Sequence, residues 1–398
     1  MSSWGWVDFS KKDRELARDI IASLNAPGAV DELGIGVIRD GFADLFFPGT
    51  STVQTIAKYF FLVAYQVEKL TRNKADNYSK ALFAMEEKTS RLMWDSLTEE
   101  QRKSGNSGVF GSSFFIRYAS EWVKRPPSEV YWSGIRKLRL FSCDNENISL
   151  QDFLQLAEIH HASNPQNGSD DDETVLDAKN YHWYLPPAAM RGDWENHPSI
   201  DLTPGEAKWF IDKVTEELSD TMFAFAITQR EKVATLNDFS ELEKLNLPAH
   251  LKAQWELAQN FSNFIKAAQT RFNYLLGNKQ AKEKWDAYPG QLRGLAESVD
   301  LNGIFDVLQL KSEHHRVLYK FLTDLQKTYI AEDENELDRI ITAREKALKG
   351  EARMKTGKDN PNPHYYDNWL GGIGLPYRFP DAKRLINDIL KAEGKYHA

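Results

Sequence analysis

One stretch limits what this chain can become more than any other. Between His250 and Leu276, Leu251, Trp255, Ala258, Phe261, Ile265, Ala268, Phe272 and Leu275 recur at intervals of three and four. That spacing lays one continuous apolar stripe along a helix, and a strand of that length would scatter the same residues over both faces. An amphipathic helix of this length needs other helices to cover it. The same period recurs in Ile304–Ile330 and Leu337–Arg353, and no alternation of strand and helix suggests a parallel sheet. The expected fold is predominantly α and multi-helical.

Helices are also expected over 10–24, from Asp31 to Phe47, from a Thr50/Ser51 cap through Tyr59–Leu70, over 76–103, and over Ala382–Leu390. Thr203-Pro204-Gly205-Glu206 carries a helix-start signal, a capping residue followed by proline at the first helical position and glutamate at the third. Phe114–Val123 and a second helix capped by Ser128 flank Pro126-Pro127. Such a pair is the candidate for a small winged-helix-like unit near 110–150, against plain helix packing. Breaker clusters at Gly105–Gly111 and the polar run 162–180 suggest four segments. These are an N-terminal helical domain 1–108, a helix-turn-helix-like segment 109–160, a linker 161–200, and a C-terminal helical domain 201–398.

Composition narrows the function classes. The 398 residues carry a formal net charge of -8, so nucleic acid can be met only through a local basic patch. The single cysteine, Cys143, excludes an internal disulfide and a cysteine-built zinc site. Met1–Asp8 shows neither a basic n-region nor an apolar h-region. The most apolar run, Tyr59–Val67, is far short of the roughly 20 residues a bilayer span needs. The expectation is a cytoplasmic protein with no membrane contact.

No cofactor signature is found. Gly34-x-Gly36 follows no strand and lacks the third glycine of a dinucleotide fingerprint. Gly49-Thr50-Ser51 lacks the Walker lysine. The Ser-Gly pairs at 107 and 133 are not nucleophile elbows, and Cys143 reads as a small buried hydrophobe. On a helix, Asp40 and Asp44 lie one turn apart beside Arg39. They could hold a divalent metal, or pair with Arg39 or with a cation from the Lys58 helix; the pairing is the stronger reading. His160, His161, His182 and His197 flank the acidic loop Asp170–Glu173. That loop reads as solvated rather than metal-binding, so neither a metal nor a cofactor is expected.

The run from Asp31-Glu32-Leu33-Gly34 through Arg39-Asp40 to Asp44, then Phe47-Pro48-Gly49-Thr50-Ser51-Thr52-Val53-Gln54-Thr55, resembles a bacterial family of about this length that is defined as a domain of unknown function. So do Lys124–Ser128 followed by Tyr131-Trp132-x-Gly134-Ile135, and Trp369-x-Gly371 with Leu375-x-Tyr377-Arg378. Phe379 stands where the family has tryptophan. Members tend to be encoded beside helicases and phospholipase-D-like nucleases in phage-defence neighbourhoods. The resemblance therefore implies a defence role and such proteins as partners, but no catalytic residues. The roles of Arg39, Asp40, Asp44, Thr50, Ser51, Thr52 and Gln54 stay open.

Two basic segments carry the binding expectation. From Arg117 to Arg139, six cations face two carboxylates, a local +4; from Arg339 to Lys358, seven face two, a local +5. The residues nominated for phosphate contact are Arg125, Arg136, Lys137, Arg139, Arg339, Lys346, Lys349 and Arg353. The leading expectation is a non-enzymatic, nucleic-acid-associated subunit of a bacterial anti-phage system, with DNA ahead of RNA. The alternatives are a metal-dependent nuclease built on Asp40 and Asp44, and a scaffold that binds only proteins.

Overall fold

A computed structural model describes residues 31–395 apart from 74, 76, 104–106, 118–121, 163–180, 359–361 and 372–373. The helix expected over 10–24 and the polar run at 163–180 lie outside the described residues. In chain order the elements are α1 (Gly36–Phe46), α2 (Lys58–Arg72), α3 (Tyr78–Ser96), α4 (Glu99–Lys103), α5 (Ser112–Arg117), α6 (Pro127–Lys137), β1 (Phe141–Cys143), α7 (Leu150–Ala162), β2 (Tyr181–Trp183), α8 (Pro204–Glu217), α9 (Met222–Thr228) and α10 (Arg230–Ala234). They continue with α11 (Ala249–Leu275), α12 (Lys279–Trp285), α13 (Leu292–Ser298), α14 (Leu301–Val307), α15 (Arg316–Ala331), α16 (Glu334–Lys349), α17 (His364–Asp367) and α18 (Phe379–Ala392). The predominantly α fold is as expected.

Two compact units divide the chain, and neither is continuous in sequence. One takes the described residues up to Phe42 together with Pro248–Leu375; the other takes Ala43–Leu247 and Pro376 onward. In the first unit α11 is the axis, and α12, α13, α14 and α16 pack along it. Its buried residues include Leu251, Trp255, Ala258, Phe261, Ile265, Ala268 and Phe272, the stripe the spacing predicts. Burying each large apolar side chain contributes roughly 1.5–3 kcal/mol, so this stripe alone stabilises the unit substantially.

The second unit is built around α2, in which thirteen of fifteen residues are buried. A helix buried all round must be central, and α3, α6 and α7 pack against it. Strands β1 and β2 form an antiparallel ribbon with Phe141 opposite Trp183, Ser142 opposite His182 and Cys143 opposite Tyr181. Trp132 of α6 stacks on Phe153 of α7 at 5.7 Å, and Phe141 packs on both. The 110–150 segment thus supplies two helices and one strand, whose partner strand lies beyond α7.

Several boundaries differ from the periodic reading, each for a local reason. α1 begins at Gly36 rather than Asp31, because the Asp31 carboxylate accepts from the Gly36 N–H at 2.5 Å and Gly34 is left-handed, with φ 65°. Thr50 and Ser51 cap nothing. The Thr50 hydroxyl donates back to Phe47 O, and α2 starts seven residues later. The 76–103 stretch breaks at Leu97, where Thr98 and Gln101 form reciprocal side-chain bonds that start α4. Ile304–Ile330 is interrupted after Val307, where Gln309 adopts φ 53°. α16 stops at Lys349, before Gly350 at φ 75°. The expected start at Thr203 is a full capping box with Glu206.

Candidate phosphate-binding cleft and the motif that supports it

The Asp31–Thr55 motif is two structures in one run. Its first half belongs to the first unit and locks the end of α16. Glu32, 5% exposed, accepts from Lys349 and from Lys355. The Arg344 guanidinium donates to Leu33 O at 2.8 Å and Gly34 O at 3.0 Å. Gly34 is required twice over: it is left-handed, and a Cβ there would lie under 3 Å from Arg344 and Leu348. Glu345, fully buried, accepts from Lys349 Nζ at 2.6 Å and from the Thr356 N–H and hydroxyl. Burial pushes its carboxyl up, but Lys349 and Thr356 outweigh that and hold it below the usual range.

This network redistributes the second basic segment. Lys349 is only 18% exposed and is occupied by Glu32 and Glu345. Arg339 pairs with Glu336, and Lys346 with Glu351 at 3.2 Å. Arg353 lies past the helix end, its Nε donating to Lys349 O at 3.0 Å. Of the four nominated cations, only Arg339 and Lys346 remain as exposed cations on the helix.

The second half of the motif, in the second unit, is a loop with its polar groups turned inward. Gln54 spans it, donating to Gly49 O and accepting from the Ser51 N–H, both at 3.0 Å. Arg378 bridges Asp44 at 2.5 Å and Thr50 O at 3.0 Å; Arg384 donates to Gln54 O at 3.0 Å. Tyr131 Oη accepts from the Thr55 and Ile56 N–H groups and donates to Ile56 O. Asp388 accepts from the Ala57 N–H at 2.7 Å, and burial pushes its carboxyl up to about 6. Ser51 is half-buried; Thr52 and Val53 form the exposed tip. All three quoted motif segments thus contribute to one backbone-locking assembly.

Asp40 pairs with Arg39 at 2.9 Å, and Asp44 with Arg378. Pairing with cations is what the sequence predicts, but the source of the second cation is not. Lys58 is 2% exposed and bound to the fully buried Glu206. Among the described residues no group of three histidine, cysteine or acidic side chains is placed to hold a metal. His197 is bonded to Asp193, and the side chains of His160 and His161 lie outside what is described.

The motif loop seats α6. A Cβ on Gly134 would lie 2.5 Å from Gly49 O and 2.5 Å from the Phe60 ring, so helix and loop touch backbone to backbone. At the other end, the Ser128 N–H and hydroxyl donate to Glu86 at 2.6 and 3.0 Å. The helix is capped by this acid of α3, with Pro127 at its first turn, and Ser128 is not the cap. Glu86 is 2% exposed, and burial pushes its carboxyl up to about 8. Arg125 precedes this end and is exposed, away from the far end of the helix.

At the C-terminal end of α6 opens a cleft of about 690 Å³, and three nominated residues line it: Arg136, Lys137 and Arg139. Its volume lies in the range of small-ligand sites. Arg136 donates through Nη1 to Glu146 O, while its Nε is buried without a hydrogen-bond partner. Arg139 adopts φ 47°, which turns its side chain toward Glu217 at 3.2 Å, yet it stays 59% exposed. Lys137 is exposed, with no carboxylate within 4.0 Å among the described residues. Asp144, Glu146 and Glu217 border the same cleft. The cleft therefore carries cations from the end of α6 and from Arg139 together with acids from the loop after β1 and the end of α8. Cys143 and His182 also border it, but ribbon pleating sends them to opposite faces, because Cys143 opposes Tyr181 and His182 opposes Ser142. Burial pushes the Cys143 thiol up, away from the reactive thiolate.

A row on α15 escaped the sequence reading: Arg316, Lys320 and Lys327, with Thr323 between. Spacings of four, seven and eleven, opposite the apolar positions, were the signal that could have found it.

Fold and sites define a helical two-unit protein whose motif residues serve chiefly as internal hydrogen-bond partners. Exposed cations line the cleft and the outer side of α15. The chain belongs to the Family of unknown function (DUF6361), whose model matches residues 1–283. No curated protein and no solved structure matches it. Among the described residues, no helix is long and apolar enough to cross a membrane.

Proposed function

We propose that this protein is a non-enzymatic, nucleic-acid-associated component of a bacterial anti-phage system that holds the phosphates of a DNA strand at the α6 cleft. The observation that carries the reading is the grouping of Arg136, Lys137 and Arg139 in the lining of a cavity of about 690 Å³, with no carboxylate within 4.0 Å of Lys137 among the described residues. Phosphate contact needs several cations on a rigid element, and α6 is fixed at both ends by Glu86 and the motif loop. The same cations also complement the negative end of the α6 dipole, so part of their charge is already answered and affinity is modest. The defence setting, and a helicase or phospholipase-D-like nuclease as partner, follow from the family resemblance. The test is fluorescence anisotropy with a labelled 30-nucleotide oligodeoxythymidylate at 50 mM salt. Three phosphate contacts at the cleft contribute about -2 to the log-log salt slope on single strands. Lys137→Glu with Arg139→Glu weakens binding at least tenfold. Absence of wild-type binding, or an unchanged double variant, overturns the proposal.

A further inference from the structure

We infer that α15 carries a second phosphate-contact surface, a straight row of cations in the first unit that tracks a DNA backbone. The inference rests on the nucleic-acid reading above but on different residues in a different unit. α15 is sharply two-sided. Leu318, Phe321, Leu322, Leu325 and Tyr329 are buried, while Arg316, Lys320 and Lys327 are exposed on the opposite side, with Thr323 half-buried among them. At 100° per residue those four positions fall within an arc of about 60°, and at 1.5 Å per residue the row is about 16 Å long. They border a shallow depression of about 580 Å³.

What separates this row from the α16 cations is that two of its three cations have no carboxylate partner among the described residues. Lys320 pairs with Asp324 at 2.6 Å. Arg316 and Lys327 have no carboxylate within 4.0 Å among the described residues. Glu313 and Asp324 are the acids of the depression, against three cations. A protein partner would want an apolar anchor at the centre of such a face. The exposed Val317 points about 100° away from the row, and Tyr319, half-buried at the edge of the depression, is held by Asn302. A regularly charged, rod-like polymer is the partner whose charge and shape match.

The experiment uses the full chain and the labelled 30-nucleotide oligodeoxythymidylate. Arg316→Ala with Lys320→Ala and Lys327→Ala is expected to weaken binding at least tenfold at 50 mM salt. It should also flatten the salt slope by about 2, since each single-strand contact contributes about 0.7. The charge-conserving variant Arg316→Lys with Lys320→Arg and Lys327→Arg is expected to bind within twofold of wild type, which separates lost charge from lost fold. If the alanine variant keeps the wild-type affinity and slope while the Lys137/Arg139 variant loses binding, the α15 inference is wrong and the cleft reading stands. If the charge-conserving variant binds as poorly as the alanine variant, the row does not act by charge and the inference is also wrong. If the wild type binds no DNA, both fail.

Discussion

Glu86 shows how one residue can carry a pH-dependence for the whole second unit. Its carboxyl is pushed from near 4.5 to about 8 by burial, although Ser128 donates two hydrogen bonds to it. The folded chain therefore holds the Glu86 proton more tightly than the unfolded chain does. That contribution is complete below about pH 4.5 and is lost as pH rises toward and past 8, at a limiting slope of about 1.4 kcal/mol per pH unit. Asp388 acts with the same sign, from about 3.8 to about 6, so its contribution is largely spent above pH 6.5 and that of Glu86 continues toward pH 8. Thermal melting is expected to fall between pH 6.5 and 9 in the wild type. Glu86→Gln, neutral throughout and still able to accept from Ser128, is expected to flatten that fall. Parallel melting curves for the two proteins would refute the assignment. Nothing in the local sequence, Ala84-Met85-Glu86-Glu87, distinguishes Glu86 from half-buried Glu87. Only the arrival of α6 over it does.

At the scale of elements, helix existence was readable and helix ends were partly so. The Thr203 capping box and the α11 stripe are local, and local chemistry suffices for them. The end of α16 is different. Periodicity runs on to Arg353, but Gly350 and the Glu32–Lys349–Glu345 network stop the helix and turn Lys349 inward. A cation that reads as a surface residue is a buried partner. Lys349→Glu would set a third carboxylate against two buried ones, and breaking such a pair costs roughly 3 kcal/mol. Lys346→Glu, on a side chain 53% exposed, is expected to stay within about 0.5 kcal/mol. Urea unfolding of the two variants decides this; equal midpoints would show that the network contributes nothing.

For the whole molecule, the net charge of -8 repels DNA at a distance while the local cations attract it at contact. At physiological salt the crossover falls near the screening length of about 8 Å. Lowering the pH from 8 toward the sequence pI of about 5.7 removes the repulsion without discharging arginine or lysine. The association rate with the same oligonucleotide is expected to rise on going from pH 8 to pH 6.3 in stopped-flow mixing at low salt. A rate that stays constant or falls would show that the global charge does not act on the encounter.

The sequence by itself determined the helical class, the central stripe of α11, the capping box of α8 and the motif that marks the family. Periodicity, capping and motif spacing all act within a few residues of one another. Only the tertiary structure decided what the motif does. Its carbonyls accept from Arg344 some 310 positions away and from Arg378 and Arg384 some 330 away, and no local pattern encodes partners at that distance. Tertiary contact likewise sorted the nominated cations. It left Lys137 and Arg139 at a cleft and took Lys349 into a buried ion network, because whether a charge faces water depends on which distant carboxylate the fold brings beside it.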